Sequence, residues 1–164
     1  MSKYIVIKIG GKAVEKLELI KDLAEDIKSL KAKEGYKCLL IHGGGKEVSE
    51  VTKKFGIEPV FKGGIRMTSK EEMKYVDMVL AGKINKQLVR IFQGTGLNAV
   101  GLSGCDGKIF TGISISMETQ TGSIREVDNK LLEILLNNDY FPVISSVSMD
   151  SNGNSLNINA DSSA

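Results

Sequence analysis

Apolar positions along the chain alternate between short continuous blocks and longer stretches at helical spacing. Tyr4 to Ile9 is an apolar, β-branched run interrupted only by Lys8, and it predicts a fully buried strand ending at Gly10-Gly11. Leu17, Ile20, Leu23, Ala24, Ile27 and Leu30 then recur with the period of one helix face, with lysines and acids between them. Cys38 to Ile41 predicts a second buried strand, broken by Gly43-Gly44-Gly45, after which Val48, Val51 and Phe55 return to helical spacing. A βαβα opening with buried strands implies a parallel sheet covered on both faces, an α/β fold. The right-handed crossover rule puts the loops after both strands at the same carboxyl edge of that sheet. Two glycine loops therefore converge.

Further along, Ile57 to Phe61 and Ile65 to Thr68 flank Lys62-Gly63-Gly64 as a hairpin. Ser69 with Glu72 three residues later has the form of a capping box opening a long helix to about Phe92. Asn98 to Leu102 predicts a strand, and Lys108 to Ile115 with Ile124 to Val127 a second hairpin or flap. Asp128 is placed to cap a helix over 129–138, followed by strands at Phe141 to Val147 and Leu156 to Ile158. A new helix begins near Asp161. No internal repeat or low-complexity linker divides the chain, so one domain is expected.

Composition narrows the function classes. With 22 Lys and Arg against 20 Asp and Glu, the net charge of +2 gives no reason to expect a nucleic-acid partner. Two cysteines without ligand spacing and a single histidine do not make up a zinc ligand set, so no metal centre is expected. No signal peptide or membrane-length apolar run is visible, and a soluble cytoplasmic protein without a membrane partner is the expectation. The 18 glycines matter more, because they cluster where backbone can approach a ligand.

Lys8 lies at a strand end directly before Gly10 and Gly11, where successive N–H groups can form an anion-binding nest. Alone, Lys8 reads as a strand-end lysine reaching water. His42-Gly43-Gly44-Gly45 opens a helix and exposes its free N–H groups, a favourable place for phosphate or carboxylate. The spacing is neither a Walker A loop nor a dinucleotide fingerprint. His42 itself reads as a hydrogen-bonded structural residue. Arg66 carries a planar fork suited to a carboxylate. Asn157, Asn159 and Asp161 alternate, so a strand would place them on one face; Asp161 also suits a helix cap.

Taken together, Ile7-Lys8-Ile9-Gly10-Gly11, His42-Gly43-Gly44-Gly45, Gly64-Ile65-Arg66-Met67-Thr68, Gly82-Lys83-Ile84-Asn85-Lys86, Ala99-Val100-Gly101-Leu102 and Asn157-Ile158-Asn159-Ala160-Asp161 resemble the amino acid kinase family over the whole chain. The likeness is greatest to the branch acting on N-acetyl-L-glutamate. It implies a three-layer α/β/α sandwich with a mainly parallel sheet, and phosphoryl transfer from ATP, with Mg2+, to the side-chain carboxylate of N-acetyl-L-glutamate in arginine biosynthesis. No tightly bound cofactor is implied. By position, Lys8 would stabilise the transferring phosphoryl group and Asp161 would orient the catalytic lysines. Gly10, Gly11 and Gly44 would face phosphate. Gly44 and Gly45 would also face the attacking carboxylate, while Arg66 and Asn157 would hold the rest of the substrate. A carboxylate is already a nucleophile, so the scarcity of histidine is no objection.

The same resemblance implies a second, ATP-binding domain carrying another catalytic lysine. Residues 1–164 then correspond to a truncated, N-terminal substrate-binding and dimerisation domain without turnover of its own. The short segment before the first strand favours an arginine-insensitive homodimer with the long helix at its interface. Two other readings remain open: a kinase for carrier-protein-bound glutamate or aminoadipate, and a non-catalytic amino-acid-binding regulatory subunit.

Overall fold

A computed structural model describes residues 3–164. Its centre is a four-stranded parallel sheet in the order β1-β2-β8-β5, formed by Tyr4–Ile9, Lys37–His42, Phe141–Ser145 and Ala99–Ser103. Between them the chain runs through α1 (Gly11–Val14), α2 (Leu17–Glu34), α3 (Gly45–Lys54), the short hairpin strands β3 (Phe61–Lys62) and β4 (Ile65–Arg66), α4 (Lys70–Asp77) and α5 (Asn85–Gly94). Then come β6 (Phe110–Ser114), β7 (Thr121–Val127), α6 (Lys130–Asn137), β9 (Val147–Met149), β10 (Ser155–Ile158) and α7 (Ala160–Ser163).

Alternation along β2 decides the layering. Cys38 and Leu40 point into a core built with Ile20, Ala24, Ile27, Val76, Leu88 and Phe92 from the helices. Leu39 and Ile41 point the other way, into a second core with Leu136 of α6 and Phe110, Leu156 and Ile158. Both faces of β2 are thus buried, as its unbroken apolar run predicts. Helices cover one face of the sheet; α6 and a small barrel cover the other. Among the described residues no helix is long and apolar enough to cross a membrane.

Several sequence expectations need correction. β1 pairs with β2 on one side and is an edge strand of this sheet. Ile5, Ile7 and Ile9 face the helical core, but Tyr4 and Val6 are 53% and 47% exposed, so the strand is half-buried rather than fully buried. The Gly10-Gly11 loop turns directly into α1. The apolar run from Phe141 splits at Ser146 into β8 of the sheet and β9 of the barrel. The expected β6–β7 hairpin forms, and β9 and β10 close it into a barrel ordered β10-β7-β6-β9. The long helix starts at the Ser69 cap, whose hydroxyl accepts from the Glu72 N–H at 3.1 Å. Its middle, Met78–Ile84, is a π-helix. Asp128 accepts from the Lys130 N–H at 3.0 Å, at the start of α6.

Candidate active site

The carboxyl edge of the sheet is stitched together by main-chain bonds between loops. The Gly43 N–H donates to the Ile9 carbonyl at 3.3 Å, the Ser146 N–H to the His42 carbonyl at 3.2 Å, and the Ile158 N–H to the Ser146 carbonyl at 3.0 Å. These contacts bring the ends of β1, β2, β8 and β10 side by side. They frame a cleft of about 210 Å³ lined by Lys8, Gly10, Gly11, Gly43 to Gly45, Arg66, Asn157, Asn159 and Asp161, with Phe61 and Ile65 of the β3–β4 hairpin alongside. That volume suits a small metabolite, being below the ~300 Å³ at the low end of drug-sized pockets.

Two glycines are closely packed here. A Cβ on Gly11 would stand 3.2 Å from the Gly45 nitrogen, so the two loops lie backbone against backbone. A Cβ on Gly44 would stand 2.2 Å from Ile84 Cδ1 and 2.9 Å from Leu80 Cδ2 of the π-helix. Gly44 precedes α3 without a side-chain cap, so among the described residues the first N–H groups of α3 have no capping partner and suit an anion.

Lys8 points away from the helical core, into the cleft. Its Nζ lies 2.5 Å from Asp161 Oδ1, with the two side chains 31% and 72% exposed. At that exposure the pair adds little to stability, on the order of 0–1 kcal/mol. Its position beside both glycine loops is what gives it meaning. The reading of Asp161 as a cap needs correction: Asn159 is the N-cap of α7, its Oδ1 accepting from the Asp161 N–H at 2.8 Å. The carboxylate is thereby left for Lys8. β10 also ends at Ile158, so a shared strand face accounts for Asn157 but not for Asp161.

Arg66 and Asn157 reach the cleft by ways the sequence did not reveal. Arg66 is 8% exposed, and its Nη1 pairs at 2.6 Å with Glu72, which is 2% exposed. Nη2 donates to the Gly45 carbonyl at 2.7 Å and to the Ser49 hydroxyl. The guanidinium also lies 4.9 Å from the centre of the Phe61 ring. The fork therefore already holds a carboxylate, that of Glu72, and Nε and one Nη1 hydrogen make no other hydrogen bond among the described residues. Glu72 is the position that the capping-box pattern hid: the capping half is present, but the acid turns to Arg66. Asn157 Nδ2 donates to Thr68 Oγ1 at 2.8 Å. Thr68 is tied in turn to the buried Thr119 and Thr121, through bonds of its carbonyl and N–H at 2.9 Å each.

His42 is fully buried behind the glycine loop, and burial pushes its pKa down to about 4, opposed by a hydrogen bond to Gly43 and helped by Lys86. Among the described residues, no three His, Cys, Asp or Glu side chains cluster as a metal site would require.

Free helix N-termini, a lysine–aspartate pair and amide and guanidinium groups surround one small cleft, a class of site whose chemistry suits anions. Comparison with known proteins gives the class a name. The model of the amino acid kinase family matches residues 3–164, and the chain belongs to that family. It is 39% identical over 175 residues to the acetylglutamate kinase of Methanoregula boonei, covering 99% of this chain and 60% of that protein. Against the acetylglutamate kinase of Campylobacter jejuni it is 41% identical over 164 residues, covering 99% and 58%. The chain thus spans about three-fifths of the length of these relatives. The fold matches the crystal structure of smu.665 from Streptococcus mutans with a TM-score of 0.83 at 24% identity, covering 100% of this chain and 66% of that one. It also matches N-acetylglutamate synthase from Neisseria gonorrhoeae complexed with coenzyme A and N-acetyl-glutamate, with a TM-score of 0.77 at 22% identity, covering 96% and 37%.

Proposed function

We propose that this chain forms the acyl-amino-acid site of an ATP-dependent kinase that phosphorylates the side-chain carboxylate of N-acetyl-L-glutamate. The observation that carries the reading is the Lys8–Asp161 pair in one cleft with two glycine-led helix starts, Arg66 and Asn157. The relatives named acetylglutamate kinase, matched along 99% of this chain, support it.

In this reading the substrate carboxylate attacks the terminal phosphorus of ATP, and the bridging oxygen leaves with ADP. The product is an acyl phosphate. No proton has to be removed, so the work of the site is alignment and charge neutralisation. Lys8 faces the charge developing on the transferring group, with Asp161 fixing its ammonium. Main-chain N–H groups of Gly11, Gly44 and Gly45 face phosphate and carboxylate oxygens, with Gly10 setting the turn. Arg66 offers its remaining N–H groups to the α-carboxylate, and Asn157 its amide to the acetamido group. Mg2+ enters with the ATP phosphates. The remaining two-fifths of the relatives' length would supply the adenine and ribose site, and the protein would work in the cytoplasm as a homodimer.

The test is hydroxylamine trapping of acyl phosphate by the whole protein with ATP and N-acetyl-L-glutamate. Hydroxamate that requires both substrates and falls by orders of magnitude in Lys8→Ala is the expected result. Hydroxamate formed only from carrier-bound glutamate would contradict the substrate assignment.

A further inference from the structure

Behind the glycine loop lies a buried polar chain that phosphoryl transfer does not itself call for. Asn85, the first residue of α5, is fully buried. Its Nδ2 lies 2.9 Å from the Val143 carbonyl, 3.2 Å from the Leu102 carbonyl and 3.1 Å from His42 Nε2, while its Oδ1 accepts from Lys86 Nζ at 3.0 Å.

These partners leave one orientation for the amide. Main-chain carbonyls only accept and an ammonium only donates, so the NH2 group faces β5 and β8 and the oxygen faces Lys86. The two hydrogens of that NH2 group are shared among three acceptors, and His42 Nε2, facing an NH2 group, can only accept. A neutral imidazole with an accepting Nε2 carries its proton on Nδ1, which lies 3.2 Å from the Gly43 carbonyl. Burial keeps the ring neutral at ordinary pH, so this is its one N–H.

The consequence runs through the peptide plane. In a trans peptide the C=O and the following N–H point in opposite directions. Holding the Gly43 carbonyl on the imidazole turns the Gly44 N–H to the opposite side of the peptide, and both glycines line the cleft. That N–H makes no hydrogen bond among the described residues.

We infer that Asn85 and His42 are positioning residues: the amide of Asn85 fixes the Nδ1–H tautomer of His42, and His42 aims the Gly44 N–H at the bound anion. The inference rests on the reading of this cleft as the acyl-amino-acid site.

Two amide substitutions separate this role from simple packing. The Asn side-chain nitrogen can stand where imidazole Nδ1 stands, whereas that of Gln reaches the place of Nε2. Calorimetric titration with N-acetyl-L-glutamate is expected to show binding weakened about tenfold in His42→Gln, the scale of one oriented hydrogen bond to a charged group. His42→Asn is expected to recover most of that loss. A purely structural histidine predicts the reverse or no difference, and either result overturns the inference. If neither variant folds, long-range 1H–15N spectra of the imidazole in the unmodified chain decide it. The Nδ1–H tautomer is expected, and the Nε2–H tautomer overturns it. Failure of the unmodified chain to bind N-acetyl-L-glutamate would count against the substrate reading, while the tautomer measurement would still test the inference.

Discussion

Acidifying the protein is expected to cost stability through His42, in a window set by one buried ring. Its ordinary pKa of 6.5 falls to about 4 in the fold, chiefly because burial disfavours the cation. The unfolded chain therefore binds a proton that the folded chain refuses between these values. Stability is complete above about pH 6.5, declines as pH falls, and has lost its full share near pH 4. A gap of this size corresponds to roughly 3 kcal/mol, with ~2 kcal/mol gone by pH ~5. Asp77 works against this trend: burial raises its pKa, so the folded state gains from protonating it as pH falls through its raised value. Asp128 and Asp150 have lowered values, set by hydrogen bonds from Lys130 and Asn154, and lose their contribution only below the ordinary carboxylate range. Urea melts at several pH values would measure the slope, with His42→Gln as the control in which most of it vanishes. A flat stability curve between pH 7 and pH 5 in the unmodified protein would refute the argument.

Gly44→Ala is expected to destabilise by about 1–3 kcal/mol, since its methyl would overlap Ile84 Cδ1, and Ile84→Val should restore part of the loss; equal melting of all forms would remove the steric argument. Glu72→Ala strands a buried guanidinium and is expected to cost about 3–5 kcal/mol in urea unfolding, so a loss under ~1 kcal/mol would mean that Arg66 finds water instead. Asp161→Asn removes an exposed partner and should move stability by less than ~1 kcal/mol while strongly slowing hydroxamate formation by the whole protein. A large stability loss with unchanged turnover would reverse that assignment.

What the sequence made legible was local or periodic. The glycine runs after β1 and β2 and the apolar periods of α2 and β2 located the cleft and the parallel sheet, because buried strands and amphipathic helices are written in adjacent residues. Other features depend on neighbours distant in sequence. Nothing in Tyr4 to Ile9 says that the strand lies at an edge, and no local signal marks the π-helix at Met78–Ile84. Barrel closure needs Thr111 of β6 to meet Met149 of β9, a pairing that no local pattern announces. Glu72 fitted a capping box well enough to hide its contact with Arg66. Asn157 and Asp161 line the same cleft, yet the spacing argument fails beyond Ile158, where a turn capped by Asn159 carries Asp161 to Lys8.

The proposed ligand of this cleft is N-acetyl-L-glutamate. Calorimetric titration of the chain, with L-glutamate as the control and Arg66→Ala as the variant, tests it most directly. Saturable binding of the acetylated ligand, much weaker binding of L-glutamate, and loss of both in the variant are expected. A folded chain that binds neither ligand, or that binds the two equally, would contradict it.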